Sequence, residues 1–243
     1  MEQISSYARA FGLGRLTGID LPGEAAGFVP TPTWKEQDQG VPWVGGDTIN
    51  LSIGQGFITT TPLQVANIVA AIVNGGTVYR PYLVKEVRSG IDGSLVRQNA
   101  SKPLFTVDLH PETFAFLREA MRYTVTDGTP AVALTTPAVT VGGKTGTAQV
   151  RAIQGDDEVG KHSWFAAFAP ADAPANEQVV VVVLAEADDV WEWWAPKVAN
   201  VLLHGIFTDQ DYETTLASLQ PLTPMYSLIG EPGDLEMRRQ QGQ

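Results

Sequence analysis

The chain has 243 residues, of which 44% are hydrophobic and 18% are charged, a globular composition that argues against whole-chain disorder, collagen and coiled coil. Its formal net charge is −11, with no cluster of Lys and Arg, so nucleic acid is not an expected partner. It contains no cysteine, which excludes disulfides, thiol nucleophiles and thiolate metal sites.

The sequence contains no segment typical of a membrane span or a signal peptide. The best apolar candidate, Ile68 to Val73, is followed at once by Asn74-Gly75-Gly76, whereas a spanning helix needs roughly 18 apolar residues. No basic segment followed by an apolar one stands at Met1. We therefore expect the chain as written to lack its own anchor and export signal.

The N-terminal part is predicted to contain one short helix, a long connection and one buried helix. Gln3 to Phe11 has helical character, and Gly12 to Asp47 is predicted to be extended and turn-rich, with Trp34 and Trp43 covering the core. A helix from Pro62 to Val73 follows, capped by Thr61 and ended by Asn74-Gly75. Apolar residues occupy nearly every face of this helix, so we expect it to be central and buried.

The middle of the chain is predicted to form a hairpin and a helix. Val78 to Val87 and Leu95 to Leu104 alternate like strands around the turn Gly90-Ile91-Asp92-Gly93. A helix then follows Asp108 and ends at Gly128, because its apolar residues fall at helical spacing. These residues are Phe114, Leu117, Met121 and Val125.

An antiparallel meander is predicted next. Its strands are Val139 to Val150, Ser163 to Ala169 and Gln178 to Glu186. The consecutive valines Val179 to Val183 predict that the third strand is covered on both faces.

A last helix is expected from Trp193 to Phe207, and the Pro- and Gln-containing segment 208–243 is predicted to be a poorly ordered tail. The residues that we expect this helix to pack inward are Trp194, Val198, Val201 and Leu202.

The segment Gly142-Gly143-Lys144-Thr145-Gly146-Thr147 concentrates the candidate chemistry. A phosphate-binding loop needs a glycine where this chain has Ala138, and a helix after the Lys-Thr pair, where the sequence predicts none. A Lys-Thr-Gly triplet taken alone also occurs by chance at a glycine-rich strand end. The triplet therefore needs its setting before it indicates a function.

That setting is a predicted antiparallel strand, where Lys-Thr-Gly is the third signature element of serine penicillin-recognising enzymes. Alternation along the strand sends Lys144 and Gly146 to one face. A cation that could bind a substrate carboxylate then lies beside a residue that has no Cβ to block the approach of a peptide. The backbone N–H of Thr147 suits an oxyanion hole for acyl transfer.

From Gly12 to Phe207 the chain resembles the class B penicillin-binding proteins, most closely their penicillin-binding protein 2 branch of elongation-type transpeptidases. The resemblance implies an α/β fold of the α+β type, in which an antiparallel sheet is flanked by helices. Residues 1–207 would form the C-terminal part of the serine β-lactamase and penicillin-binding transpeptidase fold. The segments that carry it are Thr17-Gly18-Ile19-Asp20-Leu21-Pro22-Gly23-Glu24, Gly46-Asp47-Thr48-Ile49-Asn50, Ser52-Ile53-Gly54-Gln55-Gly56, Thr61-Pro62-Leu63-Gln64, Lys144-Thr145-Gly146-Thr147-Ala148-Gln149 and Ser163-Trp164-Phe165.

The other two signature elements of the family, Ser-x-x-Lys and Ser-x-Asn, do not occur at any serine of the sequence. The resemblance implies that both precede Gly12, so the chain is expected to be a C-terminal piece of a longer transpeptidase. It also implies that a pedestal domain, a membrane anchor and two further strands lie outside the chain. The edge of the Val179 to Val183 strand would then be unpaired.

The activity that the resemblance implies is D,D-transpeptidation of peptidoglycan, with Lys144, Thr145, Gly146 and Thr147 as site residues and no cofactor. The implied ligands are stem peptides ending in D-Ala-D-Ala and β-lactams. The implied partners are the elongation machinery and its SEDS-type glycan polymerase, at the extracytoplasmic face of the cell membrane. Two alternatives stay open, namely a non-catalytic binding remnant and one half of a split transpeptidase.

For four weaker candidate functional sites, a structural role is the favoured interpretation. Ser163 lacks the Gly-x-Ser-x-Gly setting of a hydrolase nucleophile, and the histidines are too scattered in sequence to indicate zinc. Asp156-Asp157-Glu158 has no calcium-loop spacing and is typical of a solvated loop. The tryptophans at 191, 193 and 194 would allow glycan binding, but packing is the favoured interpretation.

Overall fold

A computed structural model describes residues 1–150, 160–188, 194–220 and 222. The helices are α1 (Glu2–Ala10), α2 (Pro32–Gln39), α3 (Gly45–Ser52), α4 (Pro62–Val73), α5 (Pro111–Asp127), α6 (Trp194–Thr208) and α7 (Tyr212–Leu219). The strands are β1 (Thr77–Arg80), β2 (Glu86–Arg88), β3 (Leu95–Gln98), β4 (Lys102–Thr106), β5 (Gly142–Val150), β6 (Gly160–Ala169) and β7 (Val179–Asp188). Short 3₁₀ helices lie at Thr129–Val132 and Ala175–Glu177.

The central sheet is the predicted antiparallel meander, in the order β5-β6-β7. Helices cover both of its faces, and the valines of β7 alternate between them. Val181 and Val183 pack in the cluster that contains Leu203 of α6, whereas Val180 and Val182 pack in the cluster that contains Val69 of α4. The prediction that this strand is covered on both faces is therefore confirmed.

The predicted helix from Pro62 to Val73 is confirmed, with the same ends. The Thr61 hydroxyl accepts from the Gln64 N–H at 3.2 Å, and the Gln64 side chain accepts from the Thr61 N–H at 2.9 Å. These reciprocal bonds form a capping box, with Pro62 in the first turn. Every residue of the helix after Pro62 is buried or half-buried, as its apolar faces predict.

The predicted hairpin forms, but as two short antiparallel ladders in series. β1 pairs with β4, and β2 pairs with β3 around the turn that contains Gly93. The register shifts between Val78 and Tyr79 and between Val87 and Arg88. The predicted strands are divided between Arg80 and Glu86 and between Gln98 and Lys102, where the alternation alone predicts continuous strands.

The prediction of an extended connection from Gly12 to Asp47 is wrong, because α2 and the start of α3 lie inside it. The Thr31 hydroxyl caps α2 by accepting from the Trp34 N–H at 3.1 Å, and Pro32 stands in its first turn. Thr-Pro here begins a helix rather than marking a turn. Trp34 is half-buried, with ring centroids 4.7 Å from Phe28 and 5.2 Å from Phe57.

The helix α6 forms as predicted but packs through another face. Val198 and Leu202 are 40% and 45% exposed, although both were expected to face inward. Instead Ala195, Ala199 and Leu203 contact the sheet. Small alanines let the helix approach the strands closely, and this outweighs the larger apolar area of the opposite face.

Within the segment predicted as a poorly ordered tail, Tyr212–Leu219 forms the helix α7. The Asp211 side chain caps it by accepting from the Thr214 N–H at 2.9 Å, and Leu219 is fully buried. The capping signal of Asp211 was missed in the sequence. Most of the segment beyond 220 lies outside the described residues, and the prediction for it stays a prediction.

Among the residues that the structure describes, no helix is both long enough and apolar enough to cross a membrane.

Candidate active-site strand

The strand β5 carries the Lys-Thr-Gly-Thr segment and forms one edge of the three-stranded sheet. Its register with β6 is continuous, pairing Lys144 with Ala166 and Thr147 with Ser163. The four candidate residues therefore lie on a regular strand, held on its inner side by β6.

The two glycines that precede Lys144 are required by packing. A Cβ on Gly142 would lie 2.5 Å from Cζ of Phe168, and a Cβ on Gly143 would lie 2.5 Å from Cζ of Phe165. Both rings are fully buried, one on each face of the sheet. The Gly-Gly pair thus lets β5 lie directly against the core on both sides.

Alternation places Lys144 and Gly146 on the same face of the sheet as Gly142, the face that packs on α4. Both residues are exposed. A Cβ on Gly146 would lie 3.3 Å from Cβ of Trp164, with no backbone atom within 4 Å. The surface beside Lys144 is therefore open, because Gly146 places no side chain on it.

The outer edge of β5 presents backbone groups that side chains partly occupy. The Lys144 ammonium donates to the Thr145 carbonyl at 2.5 Å, and the Gln55 side-chain amide donates to the Thr147 carbonyl at 3.3 Å. On the inner side, the Thr140 carbonyl just before the strand accepts from the Ala171 N–H at 2.9 Å. Because the N–H and C=O of one antiparallel strand residue point to the same side, the N–H groups of Thr145 and Thr147 also face the outer edge.

Gln55 is the residue at this site to which the sequence assigned no role. It appeared there only within the segment Ser52-Ile53-Gly54-Gln55-Gly56. The flanking glycines have φ of +74° and +81°, a left-handed backbone that favours glycine. This Gly-x-Gly pattern was the available signal that the side chain between them is held in a defined direction.

Glu24, in the first motif, holds the backbone of its own loop. Its carboxylate accepts from the Thr17 N–H at 2.6 Å, the Thr17 hydroxyl at 2.5 Å and the Gly18 N–H at 3.0 Å. Burial alone would raise the pKa of Glu24, but these hydrogen bonds together outweigh it and hold the pKa below its ordinary value.

Asp20, in the same motif, connects that loop to the segment before β2. Its carboxylate accepts from the N–H groups of Leu83 at 2.7 Å and Val84 at 3.1 Å. These two hydrogen bonds lower the pKa of Asp20.

Gln64 connects the N-terminal loops to α4. Only 2% of its surface is exposed. Its amide donates to the carbonyls of Arg15 at 2.9 Å and Ala26 at 2.7 Å. Together with the bond that Gln64 accepts from Thr61, these contacts make it a buried junction of three segments.

Asp47 joins α3 to α2 through an ion pair. Its carboxylate lies 2.5 Å from Nζ of Lys35, and the two side chains are 14% and 10% exposed. The Lys35 hydrogen bond and the Val44 N–H lower the pKa of Asp47. The pair fixes the helix that leads into the Gln55 loop.

Three of the weaker candidates, Ser163, His204 and Trp194, each contact a neighbouring residue. The Ser163 hydroxyl accepts from the Ala195 N–H at 3.3 Å, at the start of α6. His204 Nδ1 lies 2.9 Å from the Thr136 hydroxyl, and the Lys197 ammonium lies 4.9 Å from the Trp194 ring. The tryptophans at 191 and 193 and the acidic residues 156–158 lie outside the described residues.

Comparison with known proteins identifies the family to which the chain is similar. The description "Penicillin binding protein transpeptidase domain" matches residues 1–206. The chain is 36% identical over 201 residues to peptidoglycan D,D-transpeptidase MrdA of Haemophilus influenzae, covering 77% of this chain and 30% of the relative.

Two solved structures of similar fold are penicillin-binding proteins 2. That of Pseudomonas aeruginosa, in complex with WCK 5153, has a TM-score of 0.66 and 29% identity, over 83% of this chain and 43% of that chain. That of Helicobacter pylori, in a complex with MreC, has a TM-score of 0.65 and 27% identity, over 90% of this chain and 36% of that chain. The chain thus spans about a third of the length of the curated relatives it matches.

Proposed function

Because the chain belongs to the penicillin-binding protein transpeptidase family, we propose that it supplies the carboxylate-binding strand of a peptidoglycan D,D-transpeptidase. The observation that carries the proposal is the outer edge of β5. There an exposed lysine, a glycine without Cβ and outward N–H groups lie within four consecutive residues. An extended peptide with a terminal carboxylate matches this edge in shape and charge.

The reaction transfers an acyl group twice. The hydroxyl oxygen of a serine attacks the carbonyl carbon of the penultimate D-alanine of a stem peptide and forms an ester. The peptide C–N bond breaks, and the terminal D-alanine leaves as a free amine whose nitrogen takes up the proton that the serine hydroxyl gives up. An amine of a neighbouring stem peptide then attacks the resulting ester, and the serine oxygen regains a proton. β-Lactams, which also carry a carboxylate beside an acyl carbon, would acylate the same serine.

In this proposal each residue of the strand has its own task. The Lys144 ammonium binds the terminal carboxylate, and Gly146 leaves room for the peptide. The N–H of Thr147 donates to the oxygen that becomes negative in the tetrahedral intermediate. Thr145 presents its outward backbone groups between them.

The serine itself is proposed to come from outside these 243 residues, since the sequence has no Ser-x-x-Lys and no Ser-x-Asn. The whole protein would act at the extracytoplasmic face of the cell membrane. A solved complex of the Helicobacter pylori relative with MreC favours a place in an elongation assembly, and a SEDS-type polymerase is a further proposed partner. We assign residues 1–207 to this transpeptidase domain.

Labelling with a fluorescent penicillin tests the proposal. The 243-residue chain alone should give no band that survives denaturing electrophoresis. The DNA upstream of Met1 would be read for a Ser-x-x-Lys and a Ser-x-Asn, in frame or in an adjacent reading frame. The serine-bearing form, which is either the longer single chain or this chain together with the adjacent polypeptide, would then be expressed. It should be labelled, and excess unlabelled penicillin should block the label.

A covalent adduct on the chain alone would contradict the external serine. An unlabelled, folded, serine-bearing form would contradict the transpeptidase activity and leave the binding remnant as the better account.

A further inference from the structure

The side chain of Gln55 connects two motifs that are 92 residues apart in sequence. Its amide donates to the Thr147 carbonyl at 3.3 Å, on the edge of β5 opposite to β6. Gln55 lies after α3, a helix outside the central sheet. The contact therefore joins the outer edge of the candidate strand to a separate part of the fold.

Thr147 has reason to need a contact on that side. β6 holds β5 on its inner side only, and Gly146 directly before Thr147 is exposed and has no Cβ to restrict its backbone. A peptide plane next to glycine at a sheet edge rotates more readily than one inside a sheet. A hydrogen bond donated to the Thr147 carbonyl from the outer side would restrict the backbone angles of Thr147, and so would limit the rotation of the adjoining Gly146–Thr147 peptide plane.

The backbone of Gln55 is itself held in place. Its N–H donates to the Asn50 carbonyl at 2.9 Å, and the Gly54 N–H donates to the Leu51 carbonyl at 3.0 Å. Leu51 is only 4% exposed, and α3 is tied to α2 by the Asp47 and Lys35 ion pair. Gln55 thus extends from a fixed turn.

We propose that Gln55 is a positioning residue that orients the N–H of Thr147 by holding its carbonyl, an inference that rests on the proposed transpeptidase function. The N–H and C=O of Thr147 face the same edge but belong to the two peptide planes that meet at its Cα. A hydrogen bond that holds the carbonyl therefore limits the φ and ψ angles of Thr147, and with them the direction of its N–H. An oxyanion donor contributes most when its direction is set before the reaction. Gln55 acts through Thr147 and need not contact the substrate.

Two substitutions at Gln55 separate hydrogen bonding from packing. Gln55→Leu removes the donor, and Gln55→Glu keeps the shape but offers a carboxylate that cannot donate to a carbonyl at neutral pH. Gln39→Leu is the matched control, because the Gln39 amide donates to Asp38 at the end of α2, away from β5.

The first measurement uses the 243-residue chain and hydrogen exchange of the peptide that covers 142–149. Both Gln55 variants should exchange several-fold faster there than the parent chain and Gln39→Leu, because the strand edge has lost its outer contact. Equal exchange in all four proteins would overturn the contact and the proposal, whether or not the chain belongs to an active enzyme.

The second measurement uses the serine-bearing form and follows acylation by a fluorescent penicillin. Both Gln55 variants should slow the acylation step about tenfold, the effect of roughly one hydrogen bond. The melting temperature and the initial penicillin affinity, assigned to Lys144, should be unchanged. A packing role predicts instead that Gln55→Glu acylates like the parent, which would overturn the proposal.

An unlabelled parent form would contradict the proposed function, whereas a labelled parent with equally fast Gln55 variants would contradict the role of Gln55 alone.

Discussion

The Glu24 carboxylate accepts hydrogen bonds from both the backbone and the side chain of Thr17 and from the backbone of Gly18. Gln64 and Asp47 make comparable bonds elsewhere in the N-terminal part. These residues carried the resemblance to the family, yet Glu24 and Gln64 contact nearby loops and Asp47 contacts Lys35 of α2, rather than β5. At the residue scale, their part in the proposed function is to fix the loops around α4.

Glu24→Gln tests this structural role. Replacing the carboxylate with an amide should lower the free energy of unfolding at pH 7 by about 1 to 2 kcal/mol. The NH2 group of the amide would take the place of an accepting oxygen and would face an N–H donor. The folded-state pKa of Glu24 lies below its ordinary value, so its contribution is present above that value and is lost as the pH falls through the folded-state pKa. Urea unfolding from pH 7 down to pH 3 should show parent and variant converging in acid, and a constant gap would contradict the charge effect.

Gly146 and Thr147 differ in what a substitution removes. Gly146→Val adds bulk to the open face beside Lys144, so it should obstruct the acyl donor and slow acylation by at least tenfold. Thr147→Ala keeps the backbone N–H assigned to the oxyanion, so its effect should stay within about threefold. Penicillin acylation rates of the serine-bearing form give the order, and Thr147→Ala slower than Gly146→Val would contradict the backbone assignment.

The sequence predicted the residues of β5 from their local pattern, but it assigned no role to Gln55. Alternation and the Lys-Thr-Gly spacing are local signals, readable within six residues. The Gln55 contact spans 92 residues and depends on how the turn after α3 is folded. No periodic pattern in either segment encodes that distance.

At the scale of elements, the sheet and α4 were predictable because their signals are strong and repeated. Consecutive valines, a capping threonine and a first-turn proline each specify one structure. The packing face of α6 was not predictable in this way, since Ala195 and Ala199 bury little area and were outweighed in the sequence by Val198 and Leu202. Helix α7 depended on the single cap at Asp211.

Gly143→Ala tests the close packing of β5 on the core. The added Cβ would lie 2.5 Å from Cζ of Phe165 and 3.1 Å from the Ala166 carbonyl, so overpacking should cost about 1 to 3 kcal/mol. The control is Gly46→Ala in α3, where the added Cβ would meet no atom within 4 Å beyond its chain neighbours and the backbone of its own helix, so stability should hold or rise. Equal melting temperatures for parent and Gly143→Ala would contradict the packing of the strand.

At the scale of the whole molecule, β7 has a paired edge toward β6 and, among the described residues, no partner strand on the other side. Its apolar valines and backbone donors then lie together at one edge. We expect the 243-residue chain to self-associate through this edge despite its charge of −11.

Two lysine substitutions locate that association. Val179→Lys places a charge at the start of β7 and should reduce the association seen by light scattering, as edge lysines do in natural sheets. Val198→Lys, at a comparably exposed position on α6, should leave it unchanged. A monodisperse monomer at high concentration would contradict the prediction, and rescue by Val198→Lys alone would assign the association to α6.

The central claim is that β5 binds the substrate carboxylate through Lys144, and the acylation rate of Lys144→Ala tests it most directly. The exposed lysine makes little packing contact, so its loss should leave the melting temperature within about a degree. Losing a positioned cation at a carboxylate site should cost roughly 2 to 4 kcal/mol of transition-state stabilisation.

In the serine-bearing form, the account therefore predicts penicillin acylation at least about thirtyfold slower in Lys144→Ala than in the parent, with the fold intact. An unchanged acylation rate in a folded Lys144→Ala protein would contradict the assignment of β5 as the active-site strand.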